Sequence, residues 1–103
     1  MLLPILQVIV NVSLPEEVAS IQAAIQYLLV KSGYQFSTRE ASVEVMQLLH
    51  KGIPAVHRHL GPMTLETALQ TLAGEPYQLM VDPVHRLVQV VLPAPVFTRN
   101  RRT

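Results

Sequence analysis

Cysteine and tryptophan are both missing from the 103-residue chain. Without cysteine there is no disulfide, no thiolate metal site and no thiol nucleophile. Aromatic residues make up only 5% of the sequence, so any core must be aliphatic. Aspartate occurs once, at Asp82, ahead of a proline, where local hydrogen bonding in a turn is its expected role. The four glycines are scattered at the ends of expected elements, and no P-loop, GxGxxG or GxSxG elbow is formed. Long apolar runs are also lacking: Met1 to Val10 is interrupted by Pro4 and Gln7 and is far shorter than the ~20 residues of a membrane-spanning helix. That stretch has neither the basic start nor the small-residue cleavage site of a signal peptide.

Half of the residues are hydrophobic, 15% are charged, and the mean hydropathy is +0.31. This composition excludes a disordered chain and suits one domain with one core. The formal net charge is +1, but Arg99, Arg101 and Arg102 crowd the last five positions. The remainder has five basic and seven acidic residues, a poor electrostatic footprint for nucleic acid.

Gln7 to Ser13 alternates, with Val8, Val10 and Val12 on one face, and predicts a half-buried strand. Ser13-Leu14-Pro15-Glu16 has capping-box spacing and, with the apolar stripe Val18, Ile21, Ile25, Leu28 and Leu29, predicts a helix over 15–31, with Gly33 at its left-handed end. Tyr34 to Phe36 reads as a short strand. Thr38 to His50 reads as a second helix, with Val43, Met46 and Leu49 inward, and its valines leave a strand as the alternative. Ala55 to Leu60 reads as a strand broken by Gly61-Pro62. Thr64 caps a third helix, Leu65 to Ala73, whose Leu65, Ala68, Leu69 and Leu72 keep the helical period. Tyr77 to Asp82 and Leu87 to Leu92 form a hairpin, and 94–103 is a tail or linker. The expected fold is α+β: one small domain over 1–93, with two to three helices packed on short mixed sheets.

His57 and His59, two apart on the expected strand, would point the same way and could share a metal ion. Zinc needs about four ligands, and no spacing brings His50, His85 or a carboxylate to them. Solvated histidines on a strand are the simpler expectation, with a metal-dependent hydrolase the remote alternative. The glutamates near helix starts suit the helix dipole rather than acid–base chemistry. No catalytic or cofactor-binding residue is assigned. The strand Leu87 to Leu92 is uncharged and apolar on both faces, so it is either buried or waiting for a partner.

The run IPAVHRHLGPMTLETALQTLAGEPYQLMVDPVHRLVQVVL resembles the amino-terminal domain of PilL proteins, from type IVB pilus operons and integrating conjugative elements. The matching positions are His57, Leu60-Gly61-Pro62, Leu65, Ala68-Leu69, Leu72-Ala73-Gly74, Tyr77, Val81-Asp82 and Val88 to Leu92. Upstream, QVIVNVSLP and the positions Leu28, Leu29, Ser32, Gly33 and Tyr34 resemble that family's first strand and its LLRSGY segment. The likeness spans about Leu2 to Pro93 and rests on the ordered series of motifs. His59 departs from it, as does the absence of a lipidated amino-terminal cysteine, which suggests a chain that begins after its signal. More distantly, the element order resembles the secretin and TonB short amino-terminal (STN) domain.

The resemblance implies helices and small sheets in a mixed arrangement, no cofactor, and protein docking in the periplasm beside the outer membrane. The implied partners are secretin or pilus subunits, or further copies of the chain. The implied membrane anchor lies outside this sequence. The alternative within the same resemblance is an STN-type signalling or gating domain that binds a peptide segment of a receptor. Docking is expected through a sheet edge together with His57 and His59, with Arg86, Val88 and Val90 as further contributors. Arg58 is expected on the opposite face of its strand, beside Val56 and Leu60.

Overall fold

The structure, a computed structural model, describes residues 5–30 and 32–93. The expected tail, its arginines and Lys31 lie outside the described residues. A short 3-10 turn, Ile5–Gln7, leads into β1, Ile9–Ser13. Then come α1 (Ile21–Leu29), β2 (Gln35–Phe36), α2 (Val43–Leu49) and a second 3-10 turn (Ala55–His57). The chain continues through β3 (His59–Thr64), α3 (Leu65–Ala73), β4 (Gln78–Asp82) and β5 (Leu87–Val91). The fold is α+β, with a two-stranded antiparallel sheet of β1 and β3 and a three-stranded mixed sheet in the order β2-β5-β4.

In β1 the alternation reads out as expected: Val10 and Val12 are half-buried, while Ile9, Asn11 and Ser13 face solvent. Its partner β3 runs straight through the Gly61-Pro62 pair that was expected to end it. Val10 pairs with Met63 and Val12 with Leu60, so Gly61 and Pro62 together oppose Asn11 and the extra residue is a bulge in β3. Gly61 sits at φ 125°, and a Cβ there would lie 2.3 Å from the Val10 carbonyl oxygen. Only glycine permits that approach. Pro62 breaks nothing because, among the described residues, β3 has a strand partner on one side only, so no second ladder there needs its missing N–H.

Helix α1 starts six residues later than the expected Pro15. Ser13 lies in β1, its Oγ 2.8 Å from Nδ1 of His59, and cannot cap. The cap is Ser20, whose Oγ accepts from the Ala23 N–H at 3.1 Å. Tertiary bonds hold 14–20 out of the helix: Leu14 N–H donates to the Arg58 carbonyl, and Ile21 N–H to that of Lys51. Val18 and Ile21 are buried all the same, so the apolar stripe was correct although its first turn is not helical.

Helix α2 is also shorter than expected. Ser42 caps it, and Val45, Leu48 and Leu49 face inward, leaving Val43 70% exposed. Helix α3 keeps its predicted bounds, with Thr64 accepting from the Thr67 N–H at 3.1 Å and Gly74 closing it at φ 74°. The largest fully buried side chains are Ile25, Leu49, Leu60, Leu69, Val45 and Val88. They come from all three helices and both sheets and form one aliphatic cluster. Helix α3 touches α1, β1, β3 and β4, so the two sheets share that core.

Candidate docking surface

The structure separates the residues expected to act together. His57 ends the second 3-10 turn and is half-buried, while His59 opens β3 and is exposed. They are therefore not the i and i+2 residues of one strand face. Pro54 and Ala55 close this turn by accepting the N–H groups of His57 and Arg58, which consumes the residues that a longer strand would have used. Among the described residues no group of three His, Asp or Glu side chains could hold a metal ion.

Arg58 does not share a strand face with Val56 and Leu60: it follows the second 3-10 turn, ahead of β3, and is half-buried. Its Nη2 donates to the carbonyls of Pro15, at 2.6 Å, and Val18, at 3.0 Å. This anchors the loop before α1. The Ser13–His59 contact places a hydroxyl beside an imidazole, but across an exposed strand pair. A nucleophile needs its base held by a third group and a nearby donor pair for the developing charge, and among the described residues no side chain other than Ser13 hydrogen-bonds the His59 ring.

Arg86 belongs to the other sheet, at the end of the turn joining β4 to β5. It takes φ 57°, and its carbonyl accepts from the Gln35 N–H at 2.9 Å, tying β2 to the hairpin. Its guanidinium carbon lies 5.7 Å from the centre of the Tyr34 ring, within reach of a cation–π contact. In the same turn Asp82 Oδ1 accepts the N–H groups of Val84 and His85, and Oδ2 lies 2.7 Å from Nδ1 of His85. The His85 side chain, ahead of the two backbone donors, holds the Asp82 carboxyl below the usual aspartate range. The local role expected for Asp82 is the one it has.

Val88 and Val90 are a correction. They are 0% and 3% exposed, on the central strand of the three-stranded sheet, and cannot offer side chains to a partner. The uncharged strand β5 lies between β2 and β4, with the Val88 and Val90 face buried and the Leu87, Gln89 and Val91 face half-buried, closer to the first of the two expectations for it.

The edges that remain differ in kind. β2 has two residues. β3 is blunted by its bulge and Pro62, two devices that discourage strand addition. β4 and β1 carry neither. From Gln78 to Val81 β4 is uncharged, with Met80 54% and Val81 36% exposed. Among the described residues no strand pairs with its outer side. Periodicity could locate β4 but not its place at the edge, since strand order is set by tertiary pairing. Comparison of the chain with protein-family models, with curated proteins and with solved structures gives no match.

Proposed function

We propose that the chain is a non-catalytic protein-docking domain of a periplasmic pilus or conjugation machine, of PilL type and related to STN domains. It receives an extended segment of a secretin or pilus subunit on the free edge of β4. The observation that carries this reading is that edge: uncharged from Gln78 to Val81, free of proline and bulge, and flanked by exposed Met80 and Val81. Strand addition draws affinity from backbone hydrogen bonds and specificity from alternate side chains, so it needs no pocket. The ordered series of motifs from Gln7 to Leu92 supports the family, and small sheets packed with helices suit the architecture the resemblance implies. Arg86 and the Asp82–His85 pair sit at one end of the β4–β5 hairpin and give that end of the edge a charged rim.

The test is an amide-shift NMR titration of the chain with the periplasmic segment of its cognate secretin or pilus subunit. Shifts are expected along Gln78 to Asp82 and around Arg86. Met80→Lys is expected to weaken binding at least ~10-fold, about 1.4 kcal/mol. Shifts confined to α2 or to the carboxyl-terminal arginines would overturn docking at the edge.

A further inference from the structure

The second open edge leads elsewhere. β1 pairs with β3 on one side, and among the described residues its other side has no strand partner. The extra residue of the bulge lies in β3, so β1 carries no inserted residue of its own. Beside this edge runs an apolar groove of about 320 Å³ walled by Val10 and Val12 of β1 and by Tyr27, Leu28 and Val30 at the end of α1. Val30 is 73% and Tyr27 42% exposed, and Ile9 on the outer face of β1 is 62% exposed. None of the groove residues is charged. Natural edge strands are normally guarded by charge, proline or a bulge, and this one has none of the three.

We infer that a second copy of this chain occupies the edge and the groove, in a two-fold dimer whose β1 strands pair antiparallel about Asn11. The segment that fits must be extended and uncharged, with β-branched residues toward the groove and polar ones away from it. β1 itself has that pattern from Val10 to Ser13, with Val10 and Val12 inward and Asn11 and Ser13 outward, while Ile9 is the one apolar residue of its outer face. In a register centred on Asn11, Val10 of one copy faces Val12 of the other, Ile9 faces Ser13, and the two Asn11 amides meet. No like charges oppose each other, a condition that cross-strand pairs must satisfy. Val10 and Val12, half-buried in the single chain, would be covered together with the exposed rings and methyls at the end of α1. An isologous contact of this kind closes on itself and does not propagate into fibres. The net charge of +1 opposes association little.

Five residues of strand and one groove fall below the ~1,600 Å² of a standard interface, so the dimer is weak, with a dissociation constant on the order of 100 µM. This surface is separate from the docking proposed at β4, and the two can fail independently. The test is sedimentation of the full 103-residue chain from roughly 10 µM to 1 mM, the range that spans such a constant. A concentration-dependent dimer is expected. Val30→Lys and Tyr27→Lys, both at exposed positions, should raise the dissociation constant at least ~10-fold while leaving the circular dichroism and Tm unchanged. Met80→Lys should leave it unaltered. A chain still monomeric near ~1 mM, or a dimer dissolved by Met80→Lys and not by Val30→Lys, would overturn the inference.

Discussion

At the scale of single residues, Arg58 and Asp82 organise loops by satisfying or recruiting backbone groups. The Arg58 guanidinium serves the carbonyl of Val18 and that of Pro15, which also accepts the Val18 N–H, in the stretch that the late start of α1 leaves non-helical. Arg58→Met keeps most of the stem and removes the donors, so it is expected to cost roughly 1–3 kcal/mol in urea denaturation. A change below about half a kcal/mol would show that water replaces the guanidinium without penalty. Neither role of Arg58 nor the Ser13–His59 contact was legible in the sequence, since both cross more than forty positions. The Asp82 turn was legible, because an Asp-Pro followed by a His satisfies itself within four residues. Its pH behaviour follows from the lowered carboxyl. Folding with a depressed carboxyl favours the ionised form, so the stabilisation is present above the ordinary aspartate range and fades as pH falls through the lowered folded value. A carbon-detected NMR titration of Asp82 should show this midpoint, and His85→Ala should move it upward. An unmoved midpoint would assign the shift to the backbone donors.

At the scale of elements, α3 and the β4–β5 hairpin follow their local signals because nothing distant competes with them. Thr64 caps, Gly74 stops, and the stripe from Leu65 to Ala73 finds the core at each predicted position. Helix α1 and strand β3 depart because tertiary hydrogen bonding overrides local preference. Ser13 is an adequate cap by sequence, but the sheet claims it. Gly61-Pro62 is a breaker by sequence, but one-sided pairing absorbs it as a bulge. The bulge makes Gly61 the least replaceable residue of the two-stranded sheet. Gly61→Ala is expected to destabilise by roughly 2–4 kcal/mol, since it adds a positive-φ penalty to a clash with the Val10 carbonyl. Gly52, where a Cβ would meet its nearest atom only at 3.9 Å, is the control and should tolerate alanine within about half a kcal/mol. A Gly61→Ala loss as small as that of Gly52 would mean that β1 and β3 can slide to relieve the contact.

At the scale of the whole molecule, two sheets of two and three strands depend on one aliphatic cluster. Neither sheet is large enough to stand alone, as short sheets need a packed face for stability. Leu69 on α3 and Ile25 on α1 are both fully buried, and α3 touches strands of both sheets. The core was the most legible feature of the sequence, because burial follows periodicity even where helix limits shift: Val18 and Ile21 stay inside although the helix begins late. The edges were the least legible, because two runs of similar composition, Gln78 to Val81 and Leu87 to Val91, end as a free edge and a covered centre. A shared core has a measurable consequence. Leu69→Ala is expected to cost roughly 2–5 kcal/mol, as deletions at fully buried leucines do. Hydrogen exchange should then report the same loss on both sheets, with the protected amides of β1–β3 and of β4–β5 falling in step. Exchange that accelerates in β1–β3 while β4–β5 keeps its protection would show that the hairpin and β2 hold a separate unit. Docking at β4 and pairing at β1 would then belong to bodies that open independently, whereas a common loss makes the two edges parts of one cooperative domain.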